Sequence, residues 1–98
     1  APTALEALRI SGEKNILPDD VTKTEIQRSG KNQFMVPVKV CMSRTGAVES
    51  VRIMKSSGFP AYDQKLEREI KKWRYRPFTV NGQAAPVCSV VSFAYRQR

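Results

Sequence analysis

Apolar and polar positions alternate most regularly in three stretches of this chain. In the first, Val36, Val38, Val40 and Met42 interleave with Met35, Pro37, Lys39 and Cys41, the period of two expected of a strand with one buried face. Pro37 has no N–H to donate, so it must lie where the ladder needs none. "SRTGAV" follows, and Gly46 is free to take the positive φ of a hairpin turn. The pattern resumes in "VESVRIMK", with Val51 and Ile53 on one face and Arg52 and Met54 on the other. These two runs predict a β-hairpin. In the third stretch Val87, Ser89, Val91, Phe93 and Tyr95 share one face, and Cys88, Val90, Ser92 and Ala94 share the other.

Between the hairpin and the last strand the period lengthens. Tyr62, Leu66, Ile70 and Trp73 fall on one face of a helix that opens at Pro60 and stops at or before Arg76, ahead of Pro77. Lys65, Arg68 and Lys72 occupy its opposite face. "VNGQAAP" reads as a turn carried by Asn81 and Gly82. The first third is less regular. "APTALEALRI" predicts a short helix with Leu5 and Leu8 on one side. "LPDDVTKTEIQRSG" predicts a second, with Pro18 in its first turn and Asp19 and Asp20 at the positive end of its dipole. Leu17, Val21 and Ile26 would form its sparse apolar stripe, and Ser29 and Gly30 its end. We read residues 1–33 as an N-terminal extension carrying short helical structure and residues 34–98 as the core of a single domain.

The order β-β-α-β implies an α+β fold. A right-handed crossover from the second strand to the third allows the sheet order 2-1-3, with all neighbours antiparallel and one helix packed on one face. Cys41 then lies near the end of the first strand and Cys88 at the start of the last, two ends that meet in antiparallel neighbours. Cys41 is out of phase with Val40, and Cys88 with Val87 and Val91, so both point to the face away from the helix. Cysteine count alone leaves two readings, a pair of thiols or one disulfide. The predicted topology favours a cross-strand bridge, which would argue for an oxidising compartment.

Composition narrows the chemistry. The chain has 17 Lys plus Arg, nine Asp plus Glu and no His, for a net charge of +8. Without His there is no Ser-His or Cys-His nucleophile pair and no His to complete a zinc set with the two cysteines. No catalytic constellation emerges and no cofactor or metal is expected, so we do not expect an enzyme. The positive balance favours acidic partners (nucleic acid, anionic lipid headgroups, an acidic protein face or the anionic cell wall) or serves solubility alone. A nucleic-acid reading would use Trp73 and Tyr75 with the surrounding cations, but helical phase puts Trp73 in the core. No apolar run approaches the roughly 18 residues of a membrane span, and no signal-peptide pattern is present. The lack of an initiator Met leads us to expect a mature or excised segment, with any anchor outside it.

The ordered set "SRTGAVESVRIMKSSG", "YD", "WRYRPF" and "NGQAAPVCSVVSFAY" resembles the C-terminal domain of the TonB family, the energy transducers of Gram-negative envelopes. The resemblance covers residues 36–95 and rests on Gly46, Ser56, Ser57, Gly58, Asp63, Trp73, Tyr75, Pro77, Gly82 and Phe93. It implies a periplasmic protein-binding domain of a protein anchored in the inner membrane, coupled to inner-membrane motor proteins through an upstream segment. It implies a partner in an outer-membrane β-barrel, gripped by adding a short Ton-box-like peptide to the edge of the last strand. The same domain type also serves other envelope partners, such as those of gliding-motility complexes. On this basis the contact falls on Val87, Ser89, Val90, Val91, Ser92, Phe93 and Tyr95. The segment before the first strand, whose nearest match is Leu17 and Pro18, would help engage the transporter. Trp73, Tyr75, Pro77, Gly58 and Asp63 would be structural. The open edge also admits a homodimer. The two cysteines lie outside the family's general pattern.

Overall fold

The three alternating stretches become one antiparallel sheet. A computed structural model describes residues 8–12 and 15–97. In chain order its elements are β1 (Arg9–Ser11), α1 (Asp20–Ser29), β2 (Gln33–Met42), β3 (Val48–Ile53), α2 (Pro60–Ile70), β4 (Arg74–Tyr75), β5 (Phe78–Val80), β6 (Gln83–Ala85) and β7 (Val87–Arg96). The main sheet has the order β3-β2-β7, and β1-β4 and β5-β6 form two small ribbons.

The sheet buries the predicted apolar row of β2: Val36, Val38, Val40 and Met42 are all below 5 % exposed. Pro37 fits this central strand for a specific reason. In an antiparallel ladder a residue's N–H and C=O point to the same neighbour. The Pro37 carbonyl accepts from Met54 N at 2.9 Å, so its missing N–H faces the point where β3 has just ended. Nothing is lost from the β2–β7 ladder, which runs in register from Gln33↔Arg96 to Met42↔Val87.

α2 covers one face of the sheet with Tyr62, Leu66 and Ile70. Pro60 sits at its start, where the first N–H groups have no helical acceptor anyway. The helix ends at Ile70, earlier than the run to Pro77 suggests, and Trp73 follows in the turn with its N–H on the Ile70 carbonyl at 2.9 Å. Its side chain nevertheless stays in phase with the buried row and is 1 % exposed.

α1 differs from its predicted stripe. Asp19 is the N-cap, accepting from Thr22 N at 2.8 Å; those bonds to Thr22 hold its carboxyl below the usual carboxylate range. Pro18 therefore precedes the helix and does not form its first turn. The buried side is Thr22 and Ile26, while Val21 is 70 % exposed. Gly30 closes the helix at φ +78. The short helix expected over residues 1–10 lies mostly outside the described residues; Leu8 is in a turn and Arg9–Ser11 is strand.

Residues 15–18 are tied to α2. Tyr62 Oη donates to the Ile16 carbonyl at 2.8 Å, and Lys65 Nζ donates to the Leu17 carbonyl at 2.5 Å. Burial, then the Tyr95 and Asp63 charges, push the Tyr62 phenol up to about 12 from 10.0. The fold thus favours the neutral phenol, and this stability is complete below about pH 10 and lost as pH rises through about 12. Tyr62→Phe should cost about 1–2 kcal/mol at neutral pH, because the Ile16 carbonyl loses its donor. It should also flatten the fall in melting temperature over that alkaline window. Parallel alkaline falls in both proteins would show that Tyr62 is not the group responsible.

Candidate functional site

β7 lies at the end of the sheet order and, among the described residues, is paired on one side only. The phase of the ladder says which of its groups face outward. The Met54–Pro37 bond turns the odd-numbered residues of β2 to β3 and the even-numbered ones to β7. The bond from Gln97 N to the Asn32 carbonyl, 2.7 Å, has the same phase. Val36, Val38 and Val40 therefore bond to Phe93, Val91 and Ser89. The backbone N–H and C=O groups of Cys88, Val90, Ser92 and Ala94 point away from β2, to the open edge. Such a row is a template for another strand.

Side chains along this edge alternate in the opposite sense. Phe93 is buried, and Val87, Ser89, Val91 and Tyr95 are half-buried on the α2 side. Cys88, Val90, Ser92 and Ala94 are exposed on the outer face. A strand docked here would meet apolar and hydroxyl side chains on both faces and a continuous set of backbone groups between them. A cleft of about 530 Å³ at the far end of the β2–β7 ladder is lined by Gln33, Phe34, Met35, Ala94, Tyr95 and Arg96.

The remaining predicted residues fall into support roles. Cys41 and Cys88 are directly opposed, with Cα atoms 4.0 Å apart, and are joined by a disulfide. They form a non-hydrogen-bonded pair of the ladder, where side chains approach closest. Asp63 reaches back to the loop before α2. Its carboxylate accepts from Ser57 N at 3.0 Å, from Ser57 Oγ at 2.7 Å and from Ser56 Oγ. Gly58 completes that loop at φ +91, a conformation side chains resist. Trp73 packs edge-on to Tyr75 and against Phe93, with ring centroids 6.5 and 6.0 Å apart. Pro77 is exposed after β4. Leu17 is 42 % exposed and Pro18 is buried; with Lys65 on the Leu17 carbonyl, this segment sits at α2.

Two features escape the sequence reading. β1 runs along β4, with Arg76 N on the Leu8 carbonyl at 2.7 Å and the Arg9 guanidinium 4.9 Å from the Trp73 ring centroid. A three-residue strand pairing with a two-residue one leaves no periodic signal. Gly46 also does more than turn a hairpin: a Cβ there would lie 1.9 Å from the Tyr75 carbonyl oxygen, and its own carbonyl accepts from Tyr75 N at 2.9 Å. The Gly in the turn and the aromatic pair downstream are thus one contact.

No group of three or more His, Cys, Asp or Glu side chains among the described residues is arranged to hold a metal, and no helix among them is long and apolar enough to cross a membrane. A family model described as Gram-negative bacterial TonB protein C-terminal matches residues 24–96. No curated protein matches the chain.

Proposed function

Because this chain belongs to the Gram-negative bacterial TonB C-terminal family, we propose that it grips an outer-membrane β-barrel protein by strand addition at the open edge of β7. The family is one of periplasmic, non-enzymatic protein-interaction domains of energy transducers, whose members engage outer-membrane proteins. The observation that carries the reading is the outward phase of the Cys88, Val90, Ser92 and Ala94 backbone on a strand that, among the described residues, pairs only with β2. An extended peptide there gains main-chain hydrogen bonds for grip, and its alternate side chains meet Val90, Ser92 and Ala94 on one face and Ser89, Val91 and Phe93 on the other. Tyr95 and Val87 bound the contact at its two ends. Leu17, exposed beside the buried Pro18, serves as a secondary contact from the N-terminal extension, residues 1–33, while residues 34–98 form the gripping domain. Force from inner-membrane motor proteins would enter through the chain upstream.

Proline substitution tests the edge without removing side-chain area. Ser92 turns its N–H outward, so Ser92→Pro removes a donor the fold does not use and is tolerated as edge proline is elsewhere. It should leave melting within about 1 kcal/mol of the parent and reduce peptide binding at least tenfold. Val91→Pro, whose N–H serves the Val38 pair, should unfold the sheet. Short peptides from outer-membrane barrels should shift the amide signals of residues 88–94 in the parent. Shifts elsewhere with none along β7, or Ser92→Pro binding as well as the parent, would overturn strand addition.

A further inference from the structure

The sheet's outer face, opposite α2, carries a charge pattern that the fold leaves unbalanced. Lys39 and Arg52 are directly opposed on neighbouring strands, an arrangement that repels and destabilises a sheet. Arg96 stands on the same face at the far end of β7, opposite Gln33. None of the three forms an ion pair with a described residue. The three strands of this sheet carry one carboxylate, Glu49, at the bulge of β3; Asp20 of α1 lines a cleft with Arg96 but forms no ion pair with it. The exposed side of α2 is different: its cations Arg68 and Lys72 lie 3.9 and 3.6 Å from Glu69. Between the sheet's cations stand Met35, Met54 and Val90, exposed by 59, 57 and 37 %. Exposed thioethers beside unpaired cations form a broad face that is both apolar and positive.

We propose that this outer face docks on an anionic phospholipid surface. A second copy of the chain is disfavoured as occupant, since it would bring another +8 and the same Lys39–Arg52 pair against this one. An acidic protein segment is less well served. On the face itself the backbone groups are turned sideways into the ladders, leaving charge and apolar contact as the means of recognition. A headgroup layer needs only those two. The docked sheet would lie flat, with the open β7 edge running parallel to the leaflet from which a barrel's peptide emerges. This orienting role rests on the strand-addition reading; the binding itself does not.

Sedimentation with vesicles tests it. The oxidised chain should bind phosphatidylcholine vesicles containing about one third phosphatidylglycerol, should not bind pure phosphatidylcholine, and should release as salt rises. Each surface cation contributes about fivefold to such binding, so the double variant K39E/R52E should bind at least about 25-fold more weakly. The control K71E/K72E, at the end of α2, makes the same change in net charge and should bind within about threefold of the parent. Equal losses in both variants would reduce the effect to net charge and overturn the proposal. So would K39E/R52E binding like the parent, or binding to polyglutamate but not to vesicles, which would make the occupant an acidic protein. Peptide-induced amide shifts along residues 88–94 of K39E/R52E, without vesicles, report on strand addition separately, so either idea can fail alone.

Discussion

Trp73→Ala should destabilise the domain by about 3–5 kcal/mol, the usual loss for a large buried aromatic. Trp73 is 1 % exposed and is among the largest fully buried side chains. It touches the end of α2 through its backbone, the β4 ribbon through Tyr75, and β7 through Phe93. The N-terminal segment closes over it so tightly that a Cβ on Gly12 would lie 2.2 Å from its ring. Removing the indole therefore opens a cavity bounded by several elements that cannot all move in to fill it. For a domain of this size the melting temperature should fall by at least about 12 °C. Trp73→Phe should cost less than half as much. It keeps a ring against Phe93 and removes the indole N–H, which is buried without a hydrogen-bond partner among the described residues. Urea denaturation followed by circular dichroism checks both. If Trp73→Ala melts like the parent but loses partner binding, Trp73 belongs to a binding surface instead of the core.

The basic cluster around Trp73 invites a different conclusion, and physical phase is what resolves it. Tyr62, Leu66, Ile70 and Trp73 share a helical face even though the helix stops at Ile70, because the turn that follows carries Trp73 into the same layer. The strands of the main sheet are legible for the same kind of reason. A sheet with one buried face writes a period of two into the chain, and that parity also brings Cys41 opposite Cys88. The less legible parts lack such periodicity. Val21 looks like a core residue but is exposed, because Thr22, one position on, is the residue that turns inward with Ile26. Phe78–Val80 and Gln83–Ala85 are too short to show a pattern beyond the Asn81–Gly82 turn between them, where both residues take positive φ, 52 and 79. For the candidate site, the last strand can be picked out from the chain, but its outward-facing backbone groups cannot. Their phase depends on which neighbour β2 bonds at each residue, and that is set by the pairing with β3.

Breaking the Cys41–Cys88 bridge should cost the domain about 4 kcal/mol, the loop-closure value for a sequence separation of 47. Burial contributes little to this figure, because Cys88 is exposed and Cys41 only half-buried. What the bridge removes is freedom of the unfolded chain: it holds together, before any folding, the two strands that make the longest ladder in the molecule. Reduction by dithiothreitol and the double variant C41S/C88S should therefore give the same loss in urea denaturation, with the native ladder intact below the transition. Kinetics separate the causes. If β2 and β7 pair early in folding, the uncrosslinked chain must pay the loop entropy on the way up, and the loss appears mainly as slower refolding. If β2 and β7 pair late, after the transition state, the same loss appears instead as faster unfolding. Fraying of the Val87 end would show separately, as faster amide exchange at Ser89 on reduction while exchange at Phe93 stays unchanged. A total loss under about 1 kcal/mol would contradict the entropic account and leave the bridge without a role in the stability of the β7 edge.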